Sequence, residues 1–347
     1  IAPNSLFHGC PRSSVSRLRR FPETPSMPFN TLTYLSRQDM EKLGLTSLDM
    51  VDAIQAMCEG REAGRVQSTP KSSIKPDDNR FYMSTLASAD PPGYMAVKSL
   101  GLSKNNSEHG LESIGSLITL FDAATGHPVA VMDGDWITGQ RTAALSALAA
   151  RFMANPQSKV ISFIGCGVQA RSHLDIFADL YPLTEICALG RGQKNRDALL
   201  VRASARGLGA RVAADSRAAI ADADLVITTV PDYPDMKPFM DAHDLKPGAF
   251  VAMVDLARTW IPNSLDAIHR IIIDDRAQEA TMSKPMVPPA RVTGDLQDLV
   301  SGRVNSSTLT KERVAFAFRG MAIGDLALAS LAFDTASAKG LGCELPR

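Results

Sequence analysis

The stretch KVISFIGCGVQARSHL (159–174) begins as an apolar run ending at Ile164, tightens at Gly165-Cys166-Gly167-Val168-Gln169-Ala170, and continues with helical spacing. A strand, a glycine turn and a helix in that order suit a dinucleotide pyrophosphate. Gly165 permits the tight turn, Gly167 lets the backbone approach a phosphate, and Ala170 lets helix and strand pack closely. The helix start supplies unpaired N–H groups and the positive end of the peptide dipoles. Two glycines at a plain strand-to-helix corner would read alike in isolation, so the surroundings decide.

Those surroundings alternate strand-like and helix-like segments, at 159–164, 171–180, 184–189, 194–206, 210–213, 216–221, 224–230 and 249–254. That alternation predicts a parallel sheet of βαβ units. Upstream, LSRQDMEKLGL (35–45) and SLDMVDAIQAMCEG (47–60) read as two helices, with Ser36 and Ser47 as N-caps and Gly60 as a stop. Residues 64–133 hold short β-like runs, with DAATGHP (122–128) as a hairpin loop. TGQRTAALSALAARFMA (138–154) is Ala-rich and helical, starting near Asp135 or Thr138, and helix returns after residue 300. The expected fold is α/β. A doubly wound Rossmann-type parallel sheet domain (150–295) is inserted in an α+β substrate-binding and dimerisation domain (27–140 plus 300–347). Residues 1–26 carry four arginines, five serines and one acid, and read as a disordered or non-native extension or a faint organelle-targeting segment.

The end of the second Rossmann strand indicates which dinucleotide fits. EICALGRGQKN (185–195) has no carboxylate where an acid would hold the adenosine ribose of NAD, and offers Arg191 and Lys194 instead. That favours NADP over NAD, although a solvated basic loop has the same composition.

Composition excludes other classes. Lys plus Arg and Asp plus Glu both number 37, so no global field draws the chain to nucleic acid or an anionic membrane. No apolar run reaches the roughly 18 residues of a membrane span. Five scattered cysteines (10, 58, 166, 187, 343) suit reduced thiols and a cytoplasmic setting. The histidines (8, 109, 127, 173, 243, 269) show no ligand spacing, and the Asp pair at 274–275 reads as a strand-ending turn, so no metal is expected.

Several segments together resemble the ornithine cyclodeaminase/mu-crystallin family: GYMAVKSL (93–100), FDAATGHPVAVMDGDWITGQRTAALSALAA (121–150), the glycine turn, ADLVITTVP (223–231), AFVAMVDLAR (249–258) and RGMAIGDLALAS (319–330). They keep the family's order. The resemblance implies a homodimer built through the first domain, NAD or NADP on the second, and a small α-imino or α-amino acid between them. It places Lys98 at the substrate carboxylate and Arg141 at cofactor phosphate or substrate. Lys71 stands where the cyclodeaminases carry a carboxylate-clamping arginine, keeping the charge but losing the bidentate fork. Val168 and Gln169 fall on the phosphate turn, and Thr228, Thr229 and Val254 near the nicotinamide and its ribose. Arg141, read at a helix's first turn, would oppose the dipole there and so calls for an anion.

Asp255, at the carboxyl end of an apolar strand, is the expected proton donor to nitrogen, with an N-cap role as the alternative. Two departures from the family stand out. Met253 and Val254 replace small residues before Asp255, and Arg319 precedes Gly320. Arg319 would meet a second anionic group on the substrate or pair with Asp325. The resulting expectation is hydride transfer at a C–N bond, with ornithine cyclodeamination and a non-catalytic crystallin-like binding protein as alternatives.

Overall fold

A computed structural model describes residues 30–77, 80–233, 235–305 and 311–347, so the extension at 1–26 and Cys10 lie outside the described residues. In chain order the first part comprises β1 (Thr31–Leu35), α1 (Arg37–Glu41), α2 (Ser47–Glu62), β2 (Val66–Ser68), β3 (Ser72–Ile74), β4 (Arg80–Ala89), β5 (Tyr94–Ser103), β6 (Ile114–Asp122), β7 (Pro128–Asp133) and α3 (Gly134–Met153). The second comprises β8 (Val160–Ile164), α4 (Val168–Leu180), β9 (Glu185–Leu189), α5 (Gln193–Ala205), β10 (Gly209–Val212), α6 (Ser216–Ile220), β11 (Leu225–Thr228), β12 (Phe250–Met253), β13 (Arg270–Ile273), α7 (Arg276–Ala280), β14 (Val292–Asp295), α8 (Leu296–Val300) and β15 (Val314–Ala317). The chain closes with α9 (Ala322–Lys339) and β16 (Cys343–Pro346).

The first sheet runs β16-β1-β7-β6-β5-β4-β2, with β3 paired to β4. Its pairs are antiparallel except β1 with β7. Period-two alternation faces Thr85, Ala87, Ala96, Lys98, Ile118 and Leu120 inward, onto the side where α9 packs on β4, β5 and β6. The second sheet runs β10-β9-β8-β11-β12-β15-β13-β14, every pair parallel. Inside the edge strands β10 and β14 its strands are buried on both faces, as helical crossovers require, and read as continuous apolar runs such as Ile271–Ile273. From β10 to β12 the order is that of a Rossmann sheet, and the direction of winding reverses between β8 and β11. A crevice therefore opens at the carboxyl ends of those two strands. Alanine-rich α3 is buried along most of its length and packs on β6 of one sheet and on β12 and β15 of the other.

Three local expectations are corrected. Thr46, not Ser47, caps α2, in a capping box with Asp49, and α2 continues past Gly60 to Glu62. Gly60 is small for another reason: a Cβ there would lie 2.8 Å from Val66 Cγ2, where the chain returns as β2. The stretch 300–347 does not belong wholly with the first sheet, because β15 lies between β12 and β13 in the parallel one. Only α9 and β16 return to the first sheet, β16 as the partner of β1. Among the described residues no helix is long and apolar enough to cross a membrane.

Candidate active site

At the reversal point the backbone makes the turn that the glycines predict. Gly165 sits at φ +92, and a Cβ there would lie 2.9 Å from the carbonyl carbon, carbonyl oxygen and Oγ1 of Thr229. Thr229 Oγ1 in turn donates to Gly165 O at 3.0 Å. Gly167 differs: it N-caps α4 without a side-chain cap, and a Cβ on it would meet nothing within 4 Å. The first amides of α4 therefore receive no side-chain cap, and the space beside Gly167 is open. Gln169 Oε1, in the helix's first turn, is buried with no hydrogen-bond partner among the described residues. Uncapped amides, a cradle that a side chain would fill and an orphaned polar atom suit a phosphate-bearing ligand.

Past β9, Gly190 admits the sulfur of Cys166 2.8 Å from where a Cβ would stand. Exposed Arg191 stacks on Tyr233, its Cζ 4.3 Å from the ring centroid, and exposed Lys194 lies at the uncapped start of α5. Thr228 ends β11 and Thr229 follows it, its N–H donating to Ile164 O beside this turn, while Val254 N–H donates to Thr228 O.

Asp255 follows β12 at the same edge of the sheet and is 5 % exposed. Thr228 Oγ1 donates to its Oδ1 and Thr259 Oγ1 to its Oδ2, both at 2.8 Å. Burial raises the carboxyl above its ordinary range, outweighing the two hydroxyls that favour the charged form. No helix starts at Asp255. Leu256 and Ala257 instead take left-handed φ of 60 and 58, a conformation that non-glycine residues adopt at a cost. That tight reversal holds the carboxyl at the strand's end.

The cations gather around one carboxylate. Asp325, in the first turn of α9 and 2 % exposed, accepts from Lys98 Nζ at 2.7 Å and pairs with Arg141 Nε at 2.9 Å. Burial alone would raise Asp325, but Lys98, Arg141 and Lys71 together hold it below its usual range. Lys98 is 1 % exposed, and burial with Arg141 alongside lowers its ammonium to about 8 despite Asp325. Arg141 lies about two turns into α3, because Asp133 caps that helix and the first turn begins at Gly134. The expected conflict with the helix dipole therefore does not exist. Its guanidinium instead rests on Gly320 (φ +90), where a Cβ would be 2.5 Å from Nη1. Half-buried Lys71 donates to the carbonyl of Arg319.

Arg319 is where expectation and structure part. Its Nε donates to Glu279 Oε2 at 2.6 Å and its Nη2 to Glu279 Oε1 at 3.3 Å, so its partner is Glu279 rather than Asp325. Asp325 is already engaged by Lys98, Arg141 and the Thr85 hydroxyl. Asp274 is the residue the sequence reading missed. It is buried at the end of β13 and accepts the amides of Arg319 and Gly320 at 3.0 and 2.8 Å. The signal was available: an acid closing an apolar strand, like Asp255. Asp275, read as part of the same turn, N-caps α7 and pairs with Arg61.

Rossmann order, an uncapped helix at the reversal point and a buried cluster of cations on Asp325 define a dinucleotide-fold protein. Comparison with known proteins narrows the class. The chain belongs to the ornithine cyclodeaminase/mu-crystallin family, whose model matches residues 32–340. It is 29% identical over 245 residues to the ketimine reductase mu-crystallin of Rattus norvegicus, covering 70% of this chain and 76% of that one. It is 26% identical over 322 residues to an alanine dehydrogenase of Archaeoglobus fulgidus, covering 88% and 98%. In fold it is similar to the Thermococcus litoralis Delta(1)-pyrroline-2-carboxylate reductase solved with NADH and L-proline. That match has a TM-score of 0.82 and 23% identity, and covers 90% of this chain and 99% of that one.

Proposed function

We propose that this protein is an NAD(P)-dependent oxidoreductase, with NADP(H) preferred, that transfers hydride at the C–N bond of a small α-imino or α-amino acid. The observation that carries the proposal is the charge balance at the sheet edge. Lys98 and Arg141 share the single carboxylate of Asp325, and Lys71 beside them donates to the carbonyl of Arg319, so positive charge is left over for a substrate carboxylate. The names of the relatives, reductases and dehydrogenases of imino and amino acids, point the same way.

The residues of the chain divide the work. The amides from Gly167 to Gln169 would hold the pyrophosphate, and Arg191 and Lys194 a 2′-phosphate. Thr228, Thr229 and Val254 would border the nicotinamide and its ribose. The nicotinamide, when bound, supplies or accepts the hydride. Arg141, Lys98 and Lys71 orient the carboxylate, and their burial strengthens that hold. Asp255 keeps its proton nearer neutrality than an exposed carboxyl would, and passes it to the substrate nitrogen as the C=N bond is reduced, or takes it back in the oxidative direction.

A homodimer through the first sheet follows from its outer face, where Tyr34, Tyr82, Leu86 and Leu117 are exposed. An archaeal alanine dehydrogenase of the same fold was solved as a dimer.

The test is NADPH and NADH consumption against Delta(1)-pyrroline-2-carboxylate, pyruvate with ammonia or methylamine, and oxaloacetate with ammonia. Asp255→Asn should lower kcat by about 10²–10⁴-fold while leaving dinucleotide affinity unchanged. Proline and ammonia released from L-ornithine with catalytic NAD⁺ and no net NADH would replace this reading with cyclodeamination.

A further inference from the structure

We propose that Asp274 is the positioning residue of the carboxylate-binding cations, acting on Lys71 and Arg141 through the turn at Arg319–Gly320. One of its oxygens, Oδ2, accepts both amides of that turn. The carbonyl of Arg319 is thereby presented to Lys71 Nζ, and Gly320 is held at φ +90 with its Cβ-free face against the Arg141 guanidinium. Gln278 Nε2, reaching Gly320 O at 3.3 Å, braces the turn from α7. Two of the three cations thus take their places from one carboxylate that neither of them contacts in a direct ion pair.

The second oxygen adds an electrostatic role. Oδ1 is buried with no hydrogen-bond partner among the described residues. A carboxylate oxygen left unpaired in the interior is costly unless a charge nearby compensates it, and Lys71 is the cation that favours its charged form. Reciprocally, burial, Arg141 and Lys98 press Lys71 toward the neutral amine, and Asp274 and Asp325 oppose them. The charge of Asp275 presses Asp274 toward protonation, while the backbone N–H of Asp275 favours its charged form. Asp274, with Asp325, therefore favours the ammonium of Lys71, the form that binds a carboxylate, against the burial that lowers it to about 7.

Asp274→Asn separates the two roles, because the amide oxygen can still accept both turn amides while the charge is lost. The direct measurement is competitive acetylation of Lys71 across the neutral and alkaline range, read by mass spectrometry, which needs no turnover. Lys71 should become reactive at lower pH in Asp274→Asn than in the parent, with the far-ultraviolet spectrum unchanged. In Asp274→Ala the turn is released as well, so Lys71 should also label faster at every pH. The kinetic arm rests on the oxidoreductase reading. With whichever imine the parent reduces, Asp274→Asn should raise KM about tenfold, most strongly on the alkaline side, with kcat nearly unchanged, as expected when one charge-assisted contact is weakened. A parent that reduces no imine defeats the oxidoreductase reading and leaves the labelling result to decide this one. Identical Lys71 titration in parent and Asp274→Asn overturns the proposal, as does a folded Asp274→Ala whose Lys71 labels as in the parent.

Discussion

The two glycines of the turn should fail in opposite ways when each is given a methyl group. At Gly165 an alanine must adopt φ +92, which costs about 1–3 kcal/mol for a residue with a side chain. Its Cβ would also sit 2.9 Å from two backbone atoms and one side-chain atom of Thr229. Backbone yields less readily than a flexible side chain, and overpacking of this kind typically costs about 1–3 kcal/mol. Gly165→Ala should therefore lose about 2–6 kcal/mol, a large share of the roughly 5–15 kcal/mol that holds an ordinary protein together. At Gly167 the backbone is ordinary, with φ −76, and no atom lies within 4 Å of the added methyl. Gly167→Ala should lose only about 1 kcal/mol or less, the cost of alanine at an N-cap. The methyl would instead fill the space through which a pyrophosphate meets the amides, lowering NADPH affinity on the order of tenfold or more. Urea unfolding and fluorescence titration with NADPH, run on both variants, read the two effects separately. A Gly167→Ala protein that binds NADPH as the parent does would refute the phosphate site, and a Gly165→Ala protein of parental stability would refute the turn geometry.

Three further outcomes are expected. Replacing Arg191 and Lys194 together by serine should narrow the ratio of NADH to NADPH dissociation constants by about tenfold, the loss of charge-assisted contacts to a 2′-phosphate; an unchanged ratio would leave those cations as a solvated loop. His173 is fully buried, with Nδ1 2.7 Å from Gln169 O and Nε2 2.9 Å from Ser146 Oγ, and burial pushes it down from 6.5 to about 4. Because the unfolded chain takes up that proton first, stability should fall by on the order of 3 kcal/mol as pH drops from about 6.5 to about 4, and His173→Gln should flatten that part of the urea-midpoint profile. Asp325→Asn strands Lys98 and Arg141 in the interior and should cost roughly 3–5 kcal/mol in urea unfolding, while a loss below 1 kcal/mol would mean that water reaches the cluster.

The sequence determined by itself whatever depends on neighbours along the chain. Strand, glycine turn and helix at 159–174 belong to one continuous segment, so the turn at the reversal point was legible, as were the parallel sheet from its alternating segments and Asp255 at a strand's end. Some local readings failed at element boundaries, as where Thr46 with Asp49 makes a better cap than Ser47 and where the early start of α3 puts Arg141 about two turns inside it.

Tertiary structure alone decided what depends on segments far apart in the chain. That β15 inserts between β12 and β13 is a matter of sheet order, which strand patterns do not encode. Lys98 and Arg141 meet over Asp325, from three elements spread over more than half the chain, because α9 returns to cover the first sheet. Arg319 takes Glu279 because the turn after β15 delivers it beside α7, while Asp325 is engaged by Lys98, Arg141 and Thr85. Asp274 acquires its role only when the turn after β15 arrives above it. Charge in a buried site follows from which groups share one desolvated volume, and only the folded chain sets that company.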